Sequence, residues 1–125
     1  MKTSKRKRYP KKLRDLLTAK SKVLSQAVSF SGMGMAETAK PLWQRAASYE
    51  ETIAPLLDAI DHAVEAASHR ASAATCHEKC GDWSRAANLY QAALAGPLPK
   101  RSKREVQDLL SKCLAKLDLG SKRTA

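Results

Sequence analysis

The sequence predicts an all-α fold of antiparallel helical hairpins stacked on one another, with a basic amphipathic helix on the N-terminal side and a capping helix at the C-terminal side. Three observations carry this. The 125 residues contain one Phe, three Tyr and two Trp, so the core must be built mainly from Leu and Ala. Such small side chains let helices approach closely, and runs of Val, Ile and Thr that would form strands are missing. Finally, the apolar residues recur at helical spacing in segments separated by clear Gly and Pro punctuation.

Length and composition bound the rest. A chain of this size makes one modest core, and the expected organisation is a disordered basic arm over 1–10, a single helical domain over 11–119 with its repeat-like core at about 34–118, and a disordered tail over 120–125. Net charge is +11. Residues 1–22 carry ten Lys/Arg against Asp15, residues 23–99 carry five against eight acidic residues, and residues 100–125 carry eight against three. A slightly acidic middle therefore lies between two basic ends. No window approaches 18 apolar residues, and the basic start runs on without a signal-like apolar stretch, so a transmembrane segment is not expected. Three cysteines, an odd number, point to free thiols in a reducing, cytoplasmic setting.

Along the chain, residues 1–9 have no apolar pattern and repel themselves. Leu13, Leu16, Leu17, Val23, Leu24, Ala27 and Val28 then share a helical stripe, predicting a helix over roughly 11–28 that ends at the glycines of "SFSGMGM". Pro41 and Pro55 predict helix starts or kinks, because a proline in a helix interior costs roughly 3 kcal/mol or more. Between Pro55 and Cys80 neither Gly nor Pro occurs, so two helices with a turn near 65–68 compete with one long helix. "CGDW" punctuates most clearly: Gly81 suits the positive φ that ends a helix and Asp82 suits the cap of the next. That next helix runs over about 83–95 with Trp83, Ala86, Ala87, Tyr90, Ala93 and Leu94 on one face. The last, about 102–118, aligns Val106, Leu109, Leu110, Cys113, Leu114 and Leu117 and closes at Gly120.

A hairpin of two such helices cannot bury its faces alone. Residues 67–100 resemble a tetratricopeptide repeat, in which a small residue in the first helix is followed by Gly, an aromatic, a small residue, a second aromatic and Ala at fixed spacing. Here these are Ala74, Gly81, Trp83, Ala86, Tyr90 and Ala93, with Pro97 and Pro99 flanking the usual closing proline. The first half departs from the pattern, with Arg70 at the usual large aromatic and His77 at the customary Tyr. A shift of 34 residues places Tyr49, Leu56, Ala59 and Ala39 under Trp83, Tyr90, Ala93 and Ala73, which suggests a degenerate copy over about 34–66. The resemblance implies a binding module whose first-helix inner face holds a partner protein or peptide, and carried over this face is Ser68, Ala71, Ser72, Thr75, Glu78 and Lys79. The Lys/Asn clamp by which some members grip a terminal carboxylate would fall on Glu37, Pro41 and neighbours, which do not supply it.

Other chemistry is sparse. Cys76 and Cys80 lie one helical turn apart, close enough for two ligands of one zinc, with Cys113 as a third if its helix packs alongside. His77 lies about 100° round the helix and His69 about 10 Å along the axis, so neither joins them easily. Buried free cysteine as a small apolar residue is the simpler role. Asp58, Asp61 and His62 read as a solvated face, and no phosphate loop, paired carboxylates or nucleophile with a base is present. The basic arm, with Lys5, Arg6, Lys7, Arg8, Lys11 and Lys12, suits a polyanion, whether RNA, DNA, an anionic membrane surface or an acidic protein, because clustered Lys/Arg releases counterions on binding; a solubilising tail is the competing role. The expectation is a non-catalytic adaptor without cofactor; the alternative is a small nucleic-acid-associated protein whose helices scaffold the basic ends.

Overall fold

The computed structural model describes residues 9–124, and those from 121 onward by backbone alone. They form five helices and no strand: α1 (Lys11–Gly32), α2 (Ala36–Asp58), α3 (Ala63–Lys79), α4 (Trp83–Leu94) and α5 (Lys100–Thr124). Each helix packs chiefly on its neighbours in sequence, giving consecutive antiparallel hairpins. α1, α3 and α5 therefore point one way, and their first residues share one end of the stack.

Three of the four turns use the same device. Gly34, Asp61 and Gly81 all take a positive φ of 62–76°, and the next amide donates to the carbonyl five residues back: Met35 to Phe30, His62 to Leu57 and Asp82 to His77 at 2.9–3.0 Å. This is the Schellman arrangement, which satisfies carbonyls that the helix end would otherwise orphan. Asp82 then accepts from the Arg85 amide at 3.2 Å and starts α4.

Several boundaries differ from those the sequence suggests. The turn between Pro55 and Cys80 lies at 59–62, not 65–68, because Asp61 supplies the left-handed conformation without glycine; Asp tolerates it better than most residues. Residues 36–58 form one helix through both Pro41 and Pro55, so the hairpin expected from a degenerate repeat over 34–66 is replaced by a single long helix. Both prolines are exposed, where water can serve the Glu37 and Glu51 carbonyls that lose their helical donors. α1 continues past residue 28 to Gly32, and α5 continues through Gly120 into the segment expected as a disordered tail. A lone glycine costs about 1 kcal/mol in a helix, too little to end one. Tyr9 and Pro10, assigned to the arm, belong to the fold: the Tyr9 ring meets the His62 ring edge-on at 5.3 Å between centroids. The rest of the arm, including Lys5, Arg6, Lys7 and Arg8, lies outside the described residues.

Three apolar clusters hold the stack. Leu13 and Leu17 of α1 meet Ile53, Ala54, Leu57 and Ala66; Val23 and Ala27 meet Trp43, Ala46, Ala47 and Cys76; and Ala67, Ala74, Ala86, Tyr90, Ala93, Leu98, Val106 and Cys113 join α3, α4 and α5. α3 sits between α2 and α4 and needs small residues on both sides, which explains the burial of Ala66, Ala67, Ala73 and Ala74 together. No helix among the described residues is long and apolar enough to cross a membrane.

Candidate functional site

Alternation of direction leaves a groove between α3 and α5, with α4 behind it. The sequence of α3 places a polar or small residue at 68, 71, 72 and 75, one stripe of the helix. Ser68, Ala71, Ser72 and Thr75 accordingly line a cavity of 230 Å³, facing Leu98, Ser102, Val106 and Leu109. Four of the six residues expected to meet a partner thus share this groove.

The other two do different work. Glu78 accepts a hydrogen bond from the hydroxyl of Tyr90, and the Thr75 hydroxyl lies 2.8 Å from the same oxygen. Tyr90 is wholly buried, so its hydroxyl requires partners, and these two supply them. Burial, and then the hydrogen bond to Glu78, raise the Tyr90 phenol well above its ordinary range. Lys79 turns away from the groove toward α2, its Nζ 5.8 Å from the Trp43 ring centroid. The repeat-like residues Ala74, Ala86, Tyr90 and Ala93 are all buried and Trp83 packs at the rim of the same cluster, while Gly81 makes the turn.

The cysteines do not converge. Cys76 and Cys80 both adjoin the α1–α2 cluster, whereas Cys113 is buried in the α3–α4–α5 cluster. Among the described residues no group of three or more His, Cys, Asp or Glu side chains is placed to hold a metal ion. Burial pushes the Cys76 thiol up to about 12, with the nearby Glu50 carboxylate adding to it. Burial likewise raises Cys113 to about 11 and Cys80 above its ordinary value. A reactive cysteine needs the opposite environment, one that favours thiolate.

A second, more polar cavity of 490 Å³ lies beside the α3–α4 turn and includes Lys40, Gln44, Ser48, Glu51, His77 and Arg85. Within it His77 lies 2.9 Å from Glu51 and Arg85 3.7 Å from Asp82. Asp58, expected on a solvated face, binds Arg70 at 2.6 Å, and His62 lies 2.5 Å from Glu65.

One buried polar group belongs to no motif. Glu50 of α2 is nine-tenths buried and more, at 1 % exposure, with His69 Nδ1 of α3 at 2.5 Å and Lys20 Nζ of α1 at 3.9 Å. Its signal in the sequence is an interruption: Glu50 breaks the stripe of Trp43, Ala46, Ala47, Ile53, Ala54 and Leu57 at the spacing of a core position.

Of the basic residues, Lys11 and Lys12 are exposed at the start of α1, with Lys11 3.3 Å from Asp15. Lys100, Arg101, Lys103 and Arg104 are exposed at the start of α5. Comparison with known proteins adds no identity: no family model, curated protein or solved structure gives a significant match to this chain.

Proposed function

We propose that this chain is a non-catalytic protein-interaction module of tetratricopeptide-like type, working in a reducing, cytoplasmic setting, with the α3–α5 groove as its contact surface. The observation that supports it most directly is the clustering of Ser68, Ala71, Ser72 and Thr75 along one open groove, on the helix that corresponds to the inner face of such a repeat. Small hydroxyl-bearing and apolar side chains suit a peptide, whose backbone needs hydrogen-bond partners and whose side chains need shallow pockets.

The test is a nuclease-treated pull-down from native cell lysate, followed by photo-cross-linking from position 72. Under this reading a protein partner is captured and cross-links at the groove, and Ser68→Arg with Ser72→Arg abolishes capture. Cross-links that map elsewhere, or capture untouched by the double substitution, would refute it.

A polyanion-binding role is the second reading, and one observation favours it. The starts of α1 and α5 lie at the same end of the stack, so Lys11 and Lys12 share that end with Lys100, Arg101, Lys103 and Arg104. Of the four basic residues in the first turns of α5, Arg101 lies 3.6 Å from Glu105, and the others oppose the positive end of the helix dipole, which favours an external anion there. Nucleic-acid binding by these ends predicts retention on RNA that falls steeply with salt.

A further inference from the structure

At 25 residues α5 is twice as long as the 12-residue α4 on which it packs. By helical rise these are roughly 37 Å and 18 Å, so the final turns of α5 overhang the start of α4. Leu114, Leu117 and Leu119 there are 45 %, 37 % and 55 % exposed. Between this overhang, Trp83 and the end of α3 lies a cavity of 310 Å³, lined by Glu78, Trp83, Lys112, Ala115, Lys116 and Leu119.

Its lining is apolar with lysines in excess over carboxylate. Trp83, Ala115 and Leu119 give an apolar wall, and Lys116 holds its Nζ 5.5 Å from the Trp83 ring centroid. The carboxylate in the lining, Glu78, accepts from the Tyr90 hydroxyl, a neutral donor, so the lining sets two lysines against one carboxylate. Lys112, exposed on the rim, has no ion-pair partner among the described residues. An incoming group that is both apolar and anionic would cover the wall and meet both ammonium groups. A second copy of this chain would bring more positive charge, since residues 100–125 carry eight Lys/Arg against three Asp/Glu and the whole chain is at +11.

We infer that this compartment takes an acidic amphipathic peptide segment of a partner protein, its apolar side chain on Trp83 and Leu119 and its carboxylates on Lys112 and Lys116. The assignment rests on the protein-interaction reading above and names the partner's chemistry. The apolar contact supplies affinity, and the lysines select against neutral or basic segments. Lys116, already over the indole, needs little reordering to pair with a carboxylate beside it.

The experiment uses the full chain and three fluorescent probes: a short helical peptide of Leu and Glu, the same peptide with Gln for Glu, and the same with Ser for Leu. The Leu/Glu peptide is expected to bind and to shift the Trp83 indole signal in NMR, while either replacement weakens binding about tenfold. Lys112→Glu with Lys116→Glu, at exposed positions that leave the circular dichroism unchanged, should weaken the Leu/Glu peptide by a similar factor. Equal binding of all three probes, or no binding of any, overturns the assignment. So does preferential binding of an RNA oligonucleotide or of phosphatidylserine vesicles at these lysines, or a dimer whose dissociation follows the same substitutions. A partner captured through Ser68 and Ser72 yet indifferent to the two lysines would overturn this assignment and leave the groove reading standing. The reverse pattern would sink the groove reading alone.

Discussion

Glu50 and His69 meet at 2.5 Å across the α2–α3 interface, and the carboxylate is 1 % exposed while the imidazole keeps 19 %. The pair, with Lys20 reaching in from α1, ties three helices through one buried charge. Glu50→Ala leaves a cavity and strands partly buried donors, so it should cost about 2–4 kcal/mol, whereas Glu50→Leu fills the space and should cost less. Urea unfolding of the two variants tests the order; equal losses would mean that the lost ion pair, and not volume, governs this position.

Two glycines should respond oppositely to alanine. A Cβ on Gly96 would stand 2.9 Å from the Ala67 Cβ, a contact between atoms fixed to their backbones, so Gly96→Ala should cost about 1–3 kcal/mol. At Gly120, within α5, a Cβ meets nothing within 4 Å. Gly120→Ala should raise helix content and stabilise by up to about 1 kcal/mol. Melting of both variants checks the pair.

The turns make a similar contrast. Gly81→Ala forces an L side chain to φ +76° and should cost about 1–2 kcal/mol, while Asp61→Gly relieves the same conformation and should be neutral or stabilising. Denaturant midpoints would show it, and a marked loss in Asp61→Gly would indicate that the aspartate side chain holds that turn.

Alkali should weaken the fold through its thiols. Cys76 and Cys113 sit at about 12 and about 11 in the folded chain, above the value of roughly 8.5 for an unfolded cysteine. The folded state therefore keeps protons that the unfolded state releases. The associated stability is complete below about pH 8.5 and is lost progressively as pH rises toward 11–12. The unfolding midpoint should fall more steeply over that range in the native sequence than in Cys76→Ala with Cys113→Ala. At pH 8, iodoacetamide should modify the partly exposed Cys80 first.

Much of this architecture is legible in the residues themselves. Gly81, Trp83, Ala86, Tyr90 and Ala93 announce the α3–α4 hairpin, because its turn uses glycine and its faces alternate small and aromatic residues. The α2–α3 turn is hidden because an aspartate does the work of glycine there. The length of α2 is hidden because proline rules describe buried helix interiors better than solvent-facing ones. Ser68, Ala71, Ser72 and Thr75, carried over from the repeat resemblance, line one groove because residues three and four apart share a face of α3. Glu78 and Lys79 fall elsewhere because their partners, the Tyr90 hydroxyl and the Trp43 ring, lie on helices whose approach spacing alone does not encode.

The packing of each helix on its sequence neighbours has a kinetic consequence. Contacts between helices fall chiefly between sequence neighbours, so the loops they close span no more than a hairpin, and such modest contact order favours rapid folding. Any hairpin can nucleate and the others can zip onto it, as in quasi-one-dimensional assemblies. Damage at α3 would uncover the apolar faces of the helix pairs on both sides of it, since all three clusters include α3 residues, whereas damage to the overhanging turns of α5 would only fray one end, and amide exchange should decline in protection toward that end.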